Sequence, residues 1–494
     1  MSYSQTTRLF FASTLLTFSM GFSGCSKDKT EKPKSDNVIR VQWEKVSPNE
    51  VAQIKVINQF GESIAQAQIL IGQTQGNPFR GNFIETDKNG VALIPKEWTK
   101  PAHVTVDAAG YIRQTLLNQS PGNMILRMNP TYLAQRAELR GQVTGLPVVN
   151  GDKLIDFGLV MPSLSRGDIL NFDLDQVISP YTDVLTVVGQ KAPLPSNVSL
   201  PSQKESYIIG VNVSKPVYRL LVPTLGPKTF YAARGRFPFK TVVDKLRGGT
   251  PFYELLNDFT LMGGGLRETQ IVGALTTLDI PGTELDFKNT VQVQTATTNP
   301  DEVLLMLAAS QMAGSLVPTD VKKAASNQTI SLTSMADKPV YVVSVIKRQA
   351  EFMSRDSGSD RLSAAITAYK MGEKQKLLPL VANPTISVSD FYTIGLPQPP
   401  IKEGIRGIAI SASISDLIET ANGDAKIISA NRRWEILGLG WTDQIQLPNW
   451  PLTNMSARKK VEINYIGTTS NQPVKLDDSI IDAATHVSHA STQF

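Results

Sequence analysis

The sequence predicts a mostly β protein, built as tandem β-sandwich modules with one short helical hairpin. Charged residues make up only 19% of the 494-residue chain, and Thr, Ser, Val, Ile, Gly and Pro, which favour strands and turns, are common. Apolar and polar residues alternate in short runs, as expected of half-buried strands. Turn-forming residues separate these runs at a spacing that is typical of β-sandwiches.

The first 24 residues have the pattern of an export signal. Arg8 is their only charged side chain, and Leu9 to Phe22 is an apolar run with small hydroxylated residues. The run is too short to span a bilayer as a helix, but it has the length of the hydrophobic region of a signal peptide. We therefore predict a signal peptide over residues 1–24.

The only cysteine of the chain follows directly, in the sequence Phe22-Ser23-Gly24-Cys25. An apolar residue and two small residues before a cysteine resemble the lipobox of bacterial lipoproteins. The resemblance implies that the thiol of Cys25 carries a diacylglyceryl group, that a peptidase cleaves before it and that its amine is acylated. Ser26, rather than Asp, at the next position implies sorting to the outer membrane. The alternative is a signal peptide cut elsewhere, with Cys25 an unmodified thiol.

Residues 25–47 are predicted to be the lipidated cysteine and a disordered tether. Ser26 to Arg40 is polar and charged, contains Pro33 and lacks apolar periodicity, as in chains that cannot bury a core. Each buried methylene of a lipid contributes about 0.8 kcal/mol, so several acyl chains hold a tether at a membrane without a transmembrane helix. A chain with no other cysteine forms no internal disulfide in an oxidising compartment.

The segment 48–130 is predicted to be a β-sandwich. Alternation predicts two strands, each with one apolar face. Ala52, Ile54 and Val56 form this face in the first strand, and Ala65, Ala67, Ile69 and Ile71 form it in the second. The stretches NQFGESIAQAQILIG, ETDKNGVALIP and VTVDAAGYIRQT resemble, in this order, the carboxypeptidase regulatory-like, transthyretin-like β-sandwich family. The residues that match its Asp-x-x-Gly turn and Gly-Tyr pair are Asp87, Gly90, Gly110 and Tyr111. The resemblance implies an accessory or spacing module without catalytic residues.

Residues 130–136 are predicted to be a linker, and 137–290 a β-rich domain that contains the helical hairpin. Two apolar patterns at helical spacing predict the hairpin, and their residues are Phe239, Val242, Val243 and Leu246, then Phe252, Leu255, Leu256 and Phe259. Thr250 is the predicted N-cap of the second helix, with Pro251 at its first position. We expect both stripes to be buried; a membrane-surface or partner-binding role is the alternative.

The segment 291–494 is predicted to be a further β-sandwich domain. The runs VQVQTA, VYVVSVIKR, GIAISASIS and VEINYIG alternate or nearly so, which predicts strands. Val303 to Ala309 is a continuous apolar run that fits a buried strand or a buried helix.

No motif identifies a catalytic centre, a cofactor site or a metal site. His486 and His489 lie three apart on a predicted strand, which puts them on opposite faces and disfavours a joint metal site. His103, beside a predicted core strand, is expected to be structural. Met262 to Gly265 is predicted to be a flexible turn rather than an anion-binding loop, because no Lys-Ser/Thr follows it. The 49 basic and 44 acidic residues are scattered, which disfavours nucleic-acid binding.

Several acids and tryptophans remain open candidates. Asp173 and Asp175 would share a strand face, as paired acids or calcium ligands do, although solvated loop acids are the simpler interpretation. The same interpretation applies to the other acidic groups, which are Asp356 with Asp360, and Asp477 with Asp478 and Asp482. Trp434, Trp441 and Trp450 would stack on sugars if they are exposed, and belong to a core if they are buried.

These observations predict a protein of a Gram-negative-type envelope that is held at the outer membrane by lipid on Cys25. Its predicted role is non-enzymatic binding, adhesion or envelope assembly, with an envelope protein or polysaccharide as ligand and no nucleic acid. A lipid-anchored hydrolase that acts on glycan or peptidoglycan through acids after residue 137 is the alternative. A purely structural stalk is a third possibility.

Overall fold

The fold is taken from a computed structural model of the chain. It describes residues 42–44, 51–58, 60–72, 83–131, 137–145, 154–162, 182–187, 190–195, 217–222, 226–312, 314–353, 360–388, 392–402, 404–422, 425–448, 458–476 and 479–494. These residues are mostly strands in several sheets, which confirms the predicted fold class. Within the described ranges, no helix is both long and apolar enough to cross a membrane.

The chain divides into two compact units. Among the described residues, those within Leu133–Ser354 and Ala364–Leu377 belong to unit 1, and those within Ser13–Tyr132, Arg355–Ser363 and Leu378–Phe494 belong to unit 2. Unit 2 therefore combines an amino-terminal and a carboxy-terminal part of the chain. The domain boundaries at 130–137 and 290–291 remain predictions.

Eight strands form the amino-terminal part of unit 2. They are β1 (Gln42–Glu44), β2 (Gln53–Asn58), β3 (Gln68–Ile71), β4 (Ile84–Glu85), β5 (Val91–Leu93), β6 (Ala102–Asp107), β7 (Arg113–Gln119) and β8 (Asn123–Met128). β1, which lies within the predicted tether, starts a four-stranded sheet of order β1-β8-β2-β5. A second run of strands has the order β7-β6-β3-β4. Ile54 and Val56 from the first sheet and Ile69 and Val104 from the second share one buried core.

The predicted Asp-x-x-Gly turn leads into β5. Oδ1 of Asp87 accepts hydrogen bonds from the backbone N–H groups of Asn89 (2.8 Å) and Val91 (2.9 Å), and the bond from Val91 is the main cause that lowers the pKa of this carboxyl. Gly90 has a φ of 73°, and a Cβ there would lie 2.6 Å from the carbonyl oxygen of Val56. Only glycine tolerates both conditions without strain.

Unit 1 combines strands that pair with near neighbours in sequence and strands that pair with distant ones. The elements from residue 137 onward are β9 (Ala137–Thr144), β10 (Ile155–Pro162), β11 (Thr182–Val187), β12 (Gln190–Pro195), β13 (Val217–Val222), β14 (Gly226–Phe237), α1 (Phe239–Arg247), a 3-10 helix (Phe252–Asp258), β15 (Thr260–Ile271), β16 (Leu275–Thr277), β17 (Ile280–Pro281), β18 (Leu285–Asp286), β19 (Asn289–Gln294), β20 (Glu302–Met312), β21 (Ser315–Ala324), β22 (Thr329–Ser334), β23 (Val340–Arg348), α2 (Gln349–Met353) and β24 (Asp360–Ala368). The main sheet orders are β10-β14-β15-β18, β13-β9-β16 and β21-β20-β23-β24. Of β24, the residues from Ala364 onward belong to unit 1 and those up to Ser363 to unit 2. The apolar run Val303–Ala309 lies in β20 and is therefore a strand.

The helical hairpin is present, but its second member differs from the prediction. α1 is followed by a 3-10 helix instead of a second α-helix, and the N-cap is Pro251 rather than Thr250. The capping prediction is wrong because Pro251 is extended, with ψ of 145°, and so stands outside the helix that it was expected to begin. Val242 and Leu255 are buried in one cluster with Phe157 and Phe237, so the two stripes face a core as expected.

Three consecutive glycines lie inside β15, where a flexible turn was predicted. A Cβ on Gly263 would lie 2.6 Å from the carbonyl oxygen of Leu285, one on Gly264 would overlap that of Ala232, and one on Gly265 would overlap that of Pro281. The prediction of a turn is therefore wrong: the glycines allow neighbouring backbones to approach this strand closely.

The carboxy-terminal part of unit 2 contains its longest strands. Its elements are β25 (Thr385–Val388), β26 (Tyr392–Gly395), β27 (Arg406–Asn422), β28 (Ala425–Leu439), β29 (Gln444–Gln446), β30 (Lys459–Thr468), α3 (Ser479–Ala483) and β31 (His486–Gln493). The strand order is β31-β30-β27-β28, and β28 then pairs in parallel with β7. The carboxy-terminal strands therefore extend the sheet begun by β7, β6, β3 and β4.

Candidate functional site

One face of β28, β27, β30 and β31 is apolar and buried. It contributes to a core with Ile410, Ala412, Ile414, Trp434, Ile436, Val461, Ile463, Tyr465 and Ala490. Because successive side chains of a strand point to opposite faces, the intervening residues form the other face. That second face is polar around Ser413 and Ser415 and becomes apolar beyond Ser411, where Leu437 and Ile466 are buried. Its polar part is the candidate functional site.

Three serines from β27 line the centre of this polar face. Ser411, Ser413 and Ser415 alternate along the strand and are all buried. Longer side chains flank them in register: Glu435 and Glu462 lie on either side of Ser413, and Arg432 and Lys460 on either side of Ser415. We call this arrangement the serine groove, with the three serines as its floor, Arg432 and Glu435 as one wall, and Lys460, Glu462 and Asn464 as the other.

A β-bulge brings Arg432 to the groove. The register of β27 and β28 shifts between Ile414 and Ser415, so that Ile414 pairs with Trp434 and Ser415 pairs with Arg432. The intervening Arg433 then points away from the groove, and its Nε donates to Oδ2 of Asp416 at 2.7 Å. Bulges redirect side chains in this way.

Each wall carries an ion pair that runs along its own strand. Nη1 of Arg432 donates to Oε1 of Glu435 at 3.2 Å on β28, and Nζ of Lys460 donates to Oε1 of Glu462 at 2.8 Å on β30. Across the floor, the hydroxyl of Ser413 donates to Oε2 of Glu462 at 3.4 Å. The groove therefore presents both charges on both sides.

The two glutamates of the groove have opposite pKa shifts. Burial raises the pKa of Glu435, and the hydrogen bonds and charge offered by Arg432 and Asn129 only partly offset that effect. Burial also acts to raise the pKa of Glu462, but the charges of Lys460, His489 and Arg432 outweigh it and lower the pKa to about 2. Glu462 is therefore ionised at neutral pH, while the proton on Glu435 is held more tightly than usual.

A hydrogen-bonded chain closes one end of the groove. The side-chain amide of Asn464 donates to Oγ of Ser411 at 3.2 Å, and its oxygen accepts from Nδ1 of His489 at 2.9 Å. These two hydrogen bonds use both the donor and the acceptor of the Asn464 amide and fix the orientation of Ser411 and His489.

Some polar atoms of the same face have no hydrogen-bond partner among the residues that the structure describes. They are Oγ of Ser415, Oγ of Ser491, Oε1 of Gln114 and Nε of Arg432. Gln114, Glu435, Ser413, Glu462 and Ser491 form one row across five paired strands. Buried polar atoms normally have partners, so these four atoms, which have almost no accessible surface, are exceptions among the described residues.

The sequence candidates separate into different environments. His486 is buried on β31, with Nδ1 2.8 Å from Oγ1 of Thr485, whereas His489 belongs to the polar face. The two histidines therefore lie on opposite faces of β31. Burial lowers the pKa of His103, whose Nδ1 accepts from the backbone of Asn118, as expected of a structural residue.

The tryptophans belong to the core wherever they are described. Trp434 is fully buried, and its Nε1 donates to Oγ1 of Thr115 at 2.8 Å while the guanidinium of Arg113 lies 4.7 Å from its ring centroid. Trp441 is half-buried against Tyr465. The candidates that lie outside the described residues are Cys25, Asp173, Asp175, Asp356, Asp477, Asp478 and Trp450. Of the remaining acids, Asp360 is half-buried and Asp482 is exposed. In the described part of the chain, no group of His, Cys, Asp and Glu could hold a metal ion.

Neither family models nor curated proteins match the chain. Among solved structures, the Bacillus anthracis TIE protein is similar at 8% identity, covering 63% of this chain and 46% of its own, with a TM-score of 0.13. The major pilin subunit BcpA of Bacillus cereus is similar at 9% identity, covering 66% of this chain and 94% of its own, also with a TM-score of 0.13. We infer nothing from likenesses this low. The fold is that of a mostly β protein, and one face of unit 2 carries buried serines flanked by two ion pairs.

Proposed function

We propose that this protein is anchored by lipid on Cys25 at the outer membrane and that it binds an envelope ligand without catalysing a reaction. The observation that carries the proposal is the stretch Phe22 to Cys25, which resembles a lipobox and contains the only cysteine of the chain. The mostly β fold and the serine groove support a role in binding, adhesion or envelope assembly. The ligand is an envelope protein or a polysaccharide.

The intact mass of protein extracted from membranes tests the anchor, with wild type beside Cys25→Ala. We expect a wild-type species that begins at Cys25 and carries acyl mass, and no such species from the variant. A wild-type chain with a free thiol at Cys25 would refute the anchor, and the protein would then be a secreted or periplasmic one.

The sorting of the protein tests the outer-membrane location. Ser26→Asp is expected to move the lipidated protein to the inner-membrane fraction in density-gradient separation, because the lipoprotein resemblance implies that Asp at this position retains a lipoprotein there. Ser35→Asp, the same change further along the tether, is the matched control and should leave the distribution unchanged. Equal distributions of both variants would argue against outer-membrane sorting.

A hydrolase that acts on glycan or peptidoglycan is the second candidate, because Glu435 and Glu462 lie on one face with opposite pKa shifts. Their strands flank β27, so roughly 10 Å separates their backbones, and paired carboxylates of glycosidases are about 5–9.5 Å apart. The assay is the release of new reducing ends from peptidoglycan and envelope polysaccharide. If the wild-type protein releases reducing ends and both Glu435→Gln and Glu462→Gln abolish this release, the hydrolase is favoured. If the wild-type protein releases no more reducing ends than the two variants, the hydrolase is dismissed.

A further inference from the structure

β21, at one edge of its sheet, has outward backbone groups that side chains occupy. Pro318 has no N–H group, and its carbonyl oxygen accepts from the hydroxyl of Tyr231 at 2.7 Å. The N–H of Lys323 donates to Oδ1 of Asn257 at 3.0 Å, and its carbonyl oxygen accepts from Nδ2 of the same amide at 3.1 Å. This edge is therefore closed to a further strand.

The outer edge of β19, in the same unit, is open. The N–H of Gln375 donates to the carbonyl oxygen of Gln294 at 3.0 Å, so the backbone groups of Gln294 point away from β22. Alternation along the strand gives the same direction to the backbone groups of Gln292 and Thr290. Both of these residues are exposed, and within the described ranges no backbone group bonds to them on that side. Their two N–H and two carbonyl groups are therefore available to another strand.

β19 also lacks the features that protect edge strands from pairing. Its six residues, NTVQVQ, include no charge and no proline, and its register with β22 is continuous over all six pairs. Flat, uncharged edges of this kind are templates for another strand. In the described part of the chain, β19 and β22 form a sheet of only two strands, and sheets of three or more strands are more stable.

A second copy of β19 matches this edge. In an antiparallel pair centred on Val291, Thr290 of each copy lies opposite Gln292 of the other, and their backbone groups form four hydrogen bonds. The strand carries no charge, so no like charges face each other across the pair. The pairing joins two sheets of two strands into one of four strands across a twofold axis.

The ends of this pairing bring opposite charges together. Lys374 forms a bridge to Gln294 beside the edge, so the paired segment of the second copy ends at Asn289 and its Lys288 comes next to Glu373. The side chains of Lys288 and Glu373 keep 86% and 52% of their exposure. Symmetry creates two such contacts. Each contributes less than about 1 kcal/mol, but together they favour this register over others.

We propose that the protein self-associates through β19, and that a second copy of the chain adds its own β19 to the open edge. The pairing is antiparallel and centred on Val291. The contact is small, so the dimer is weak and reversible in solution. This surface goes beyond the proposed binding of an envelope ligand, and it depends neither on the serine groove nor on the lipid.

The first test is sedimentation velocity of the purified full-length chain over a range of concentrations, with Cys25→Ala to remove the only thiol. We expect the dimer fraction to rise with concentration. Gln292→Pro should abolish the dimer, because the N–H that it removes points to the second copy and not to β22. The matched control is Thr329→Pro, on the opposite edge of the same sheet, which should dimerise like the parent chain. Thermal melting confirms that each variant folds.

A second variant serves if the proline disturbs the strand. Thr290→Lys combined with Gln292→Lys keeps the backbone donors and places four lysines on one face of the pairing. Like charges at a strand edge oppose pairing, so this variant should also remain monomeric.

Cysteine cross-linking tests the register in the same Cys25→Ala background. Opposite residues of a non-hydrogen-bonded antiparallel pair have Cα atoms roughly 4.5 Å apart, which is within the range of a disulfide. Val291→Cys should therefore form a disulfide-linked dimer under mild oxidation. Val293→Cys is the matched control, because Val293 is also a buried valine of β19 but lies opposite Asn289 of the second copy. It should stay monomeric on a non-reducing gel.

Three results would overturn the assignment. The first is a monomer at every concentration up to roughly 0.5 mM, near the limit of weak association. The second is a dimer that Gln292→Pro and the double lysine variant both leave unchanged. The third is a disulfide that forms as readily from Val293→Cys as from Val291→Cys. None of these measurements involves the lipid or an envelope ligand, so failure here is distinct from failure of the proposed function.

Discussion

At the scale of single residues, surroundings decide what each ionisable group does. Glu435 and Glu462 occupy equivalent positions beside Ser413, one on each neighbouring strand. Burial dominates at Glu435 and raises its pKa, whereas at Glu462 three cationic or titratable neighbours outweigh burial and lower it. The sequence predicts a strand at Glu462, in VEINYIG, and makes no such prediction for Glu435. It says nothing of these neighbours, because His489 and Arg432 lie on two different strands beside Glu462.

Glu462 is expected to make stability depend on acid pH. Its folded pKa of about 2 lies below its ordinary value of 4.5, so the stabilisation is complete above pH 4.5 and is lost as the pH falls towards 2. The difference corresponds to roughly 3 kcal/mol at neutral pH. Urea unfolding of Glu462→Gln beside wild type should therefore show a deficit that shrinks between pH 6 and pH 3. A deficit that stays constant over this range would contradict the assignment.

Asp416 is expected to be one of the most sensitive positions of unit 2. Its carboxylate accepts from Nζ of the buried Lys459 at 2.6 Å and from Nε of Arg433 at 2.7 Å. Asp416→Asn removes the carboxylate charge that contacts both the buried ammonium group of Lys459 and the guanidinium of Arg433, so we expect a loss of about 3 kcal/mol in urea unfolding. Asp301→Asn is the control, because the exposed Arg348–Asp301 pair at 3.4 Å should contribute less than about 1 kcal/mol. Equal effects of the two variants would count against a buried ion pair at Asp416.

At the scale of elements, alternation in the sequence predicts strands but not their irregularities. GIAISASIS and VEINYIG were predicted as strands, and both lie in long strands, β27 and β30. The alternating serines already indicate a polar face. The bulge that sends Arg432 to the groove and Arg433 to Asp416 depends on pairing between strands, and a single strand does not reveal it. The glycines of β15 were wrongly predicted to form a turn for the same reason. The carbonyl groups that leave no room for a Cβ at these positions belong to other segments of the chain.

Gly265→Ala is expected to disrupt unit 1 strongly. A Cβ at this position would overlap the carbonyl oxygen of Pro281, which is backbone and cannot move without displacing β17. We expect a loss of about 3 kcal/mol or more in urea unfolding. Gly248→Ala is the matched control, because its φ of −73° suits alanine and its Cβ would meet no atom closer than 3.4 Å. A change below about 1 kcal/mol for Gly265→Ala would contradict the close approach.

At the scale of the whole molecule, pairing distant in sequence matters most within unit 2. The sequence predicts an amino-terminal sandwich over 48–130 as a separate module. Trp434 nevertheless hydrogen-bonds to Thr115, 319 residues away, and Leu70 and Leu117 belong to the same core as Ile410. Composition and periodicity report local preference, and they carry no information about which distant strands pair. The groove could not be predicted for this reason, since its floor and walls come from strands joined only by folding.

Deletion of residues 48–130 tests whether that segment is an independent module. If the segment is only a spacer, the remaining chain should keep its fold, and only the distance that the protein spans should change. The structure favours the other outcome, because the deletion leaves Trp434 without the hydrogen bond to Thr115 and without Arg113 over its ring, and exposes the edge of β28 that pairs with β7. Unpaired edges of this length promote aggregation.

We expect the deletion variant to lose the near-ultraviolet circular dichroism signal of buried Trp434 and to be cleaved by protease within 378–494. A matched deletion of residues 27–40 from the predicted tether should leave both readouts unchanged. A deletion variant that keeps a protease-resistant 378–494 segment with native tryptophan signal would show that this part of unit 2 folds without β7. In that case the core shared by Leu117 and Ile410 would be a contact between preformed modules rather than one cooperative core.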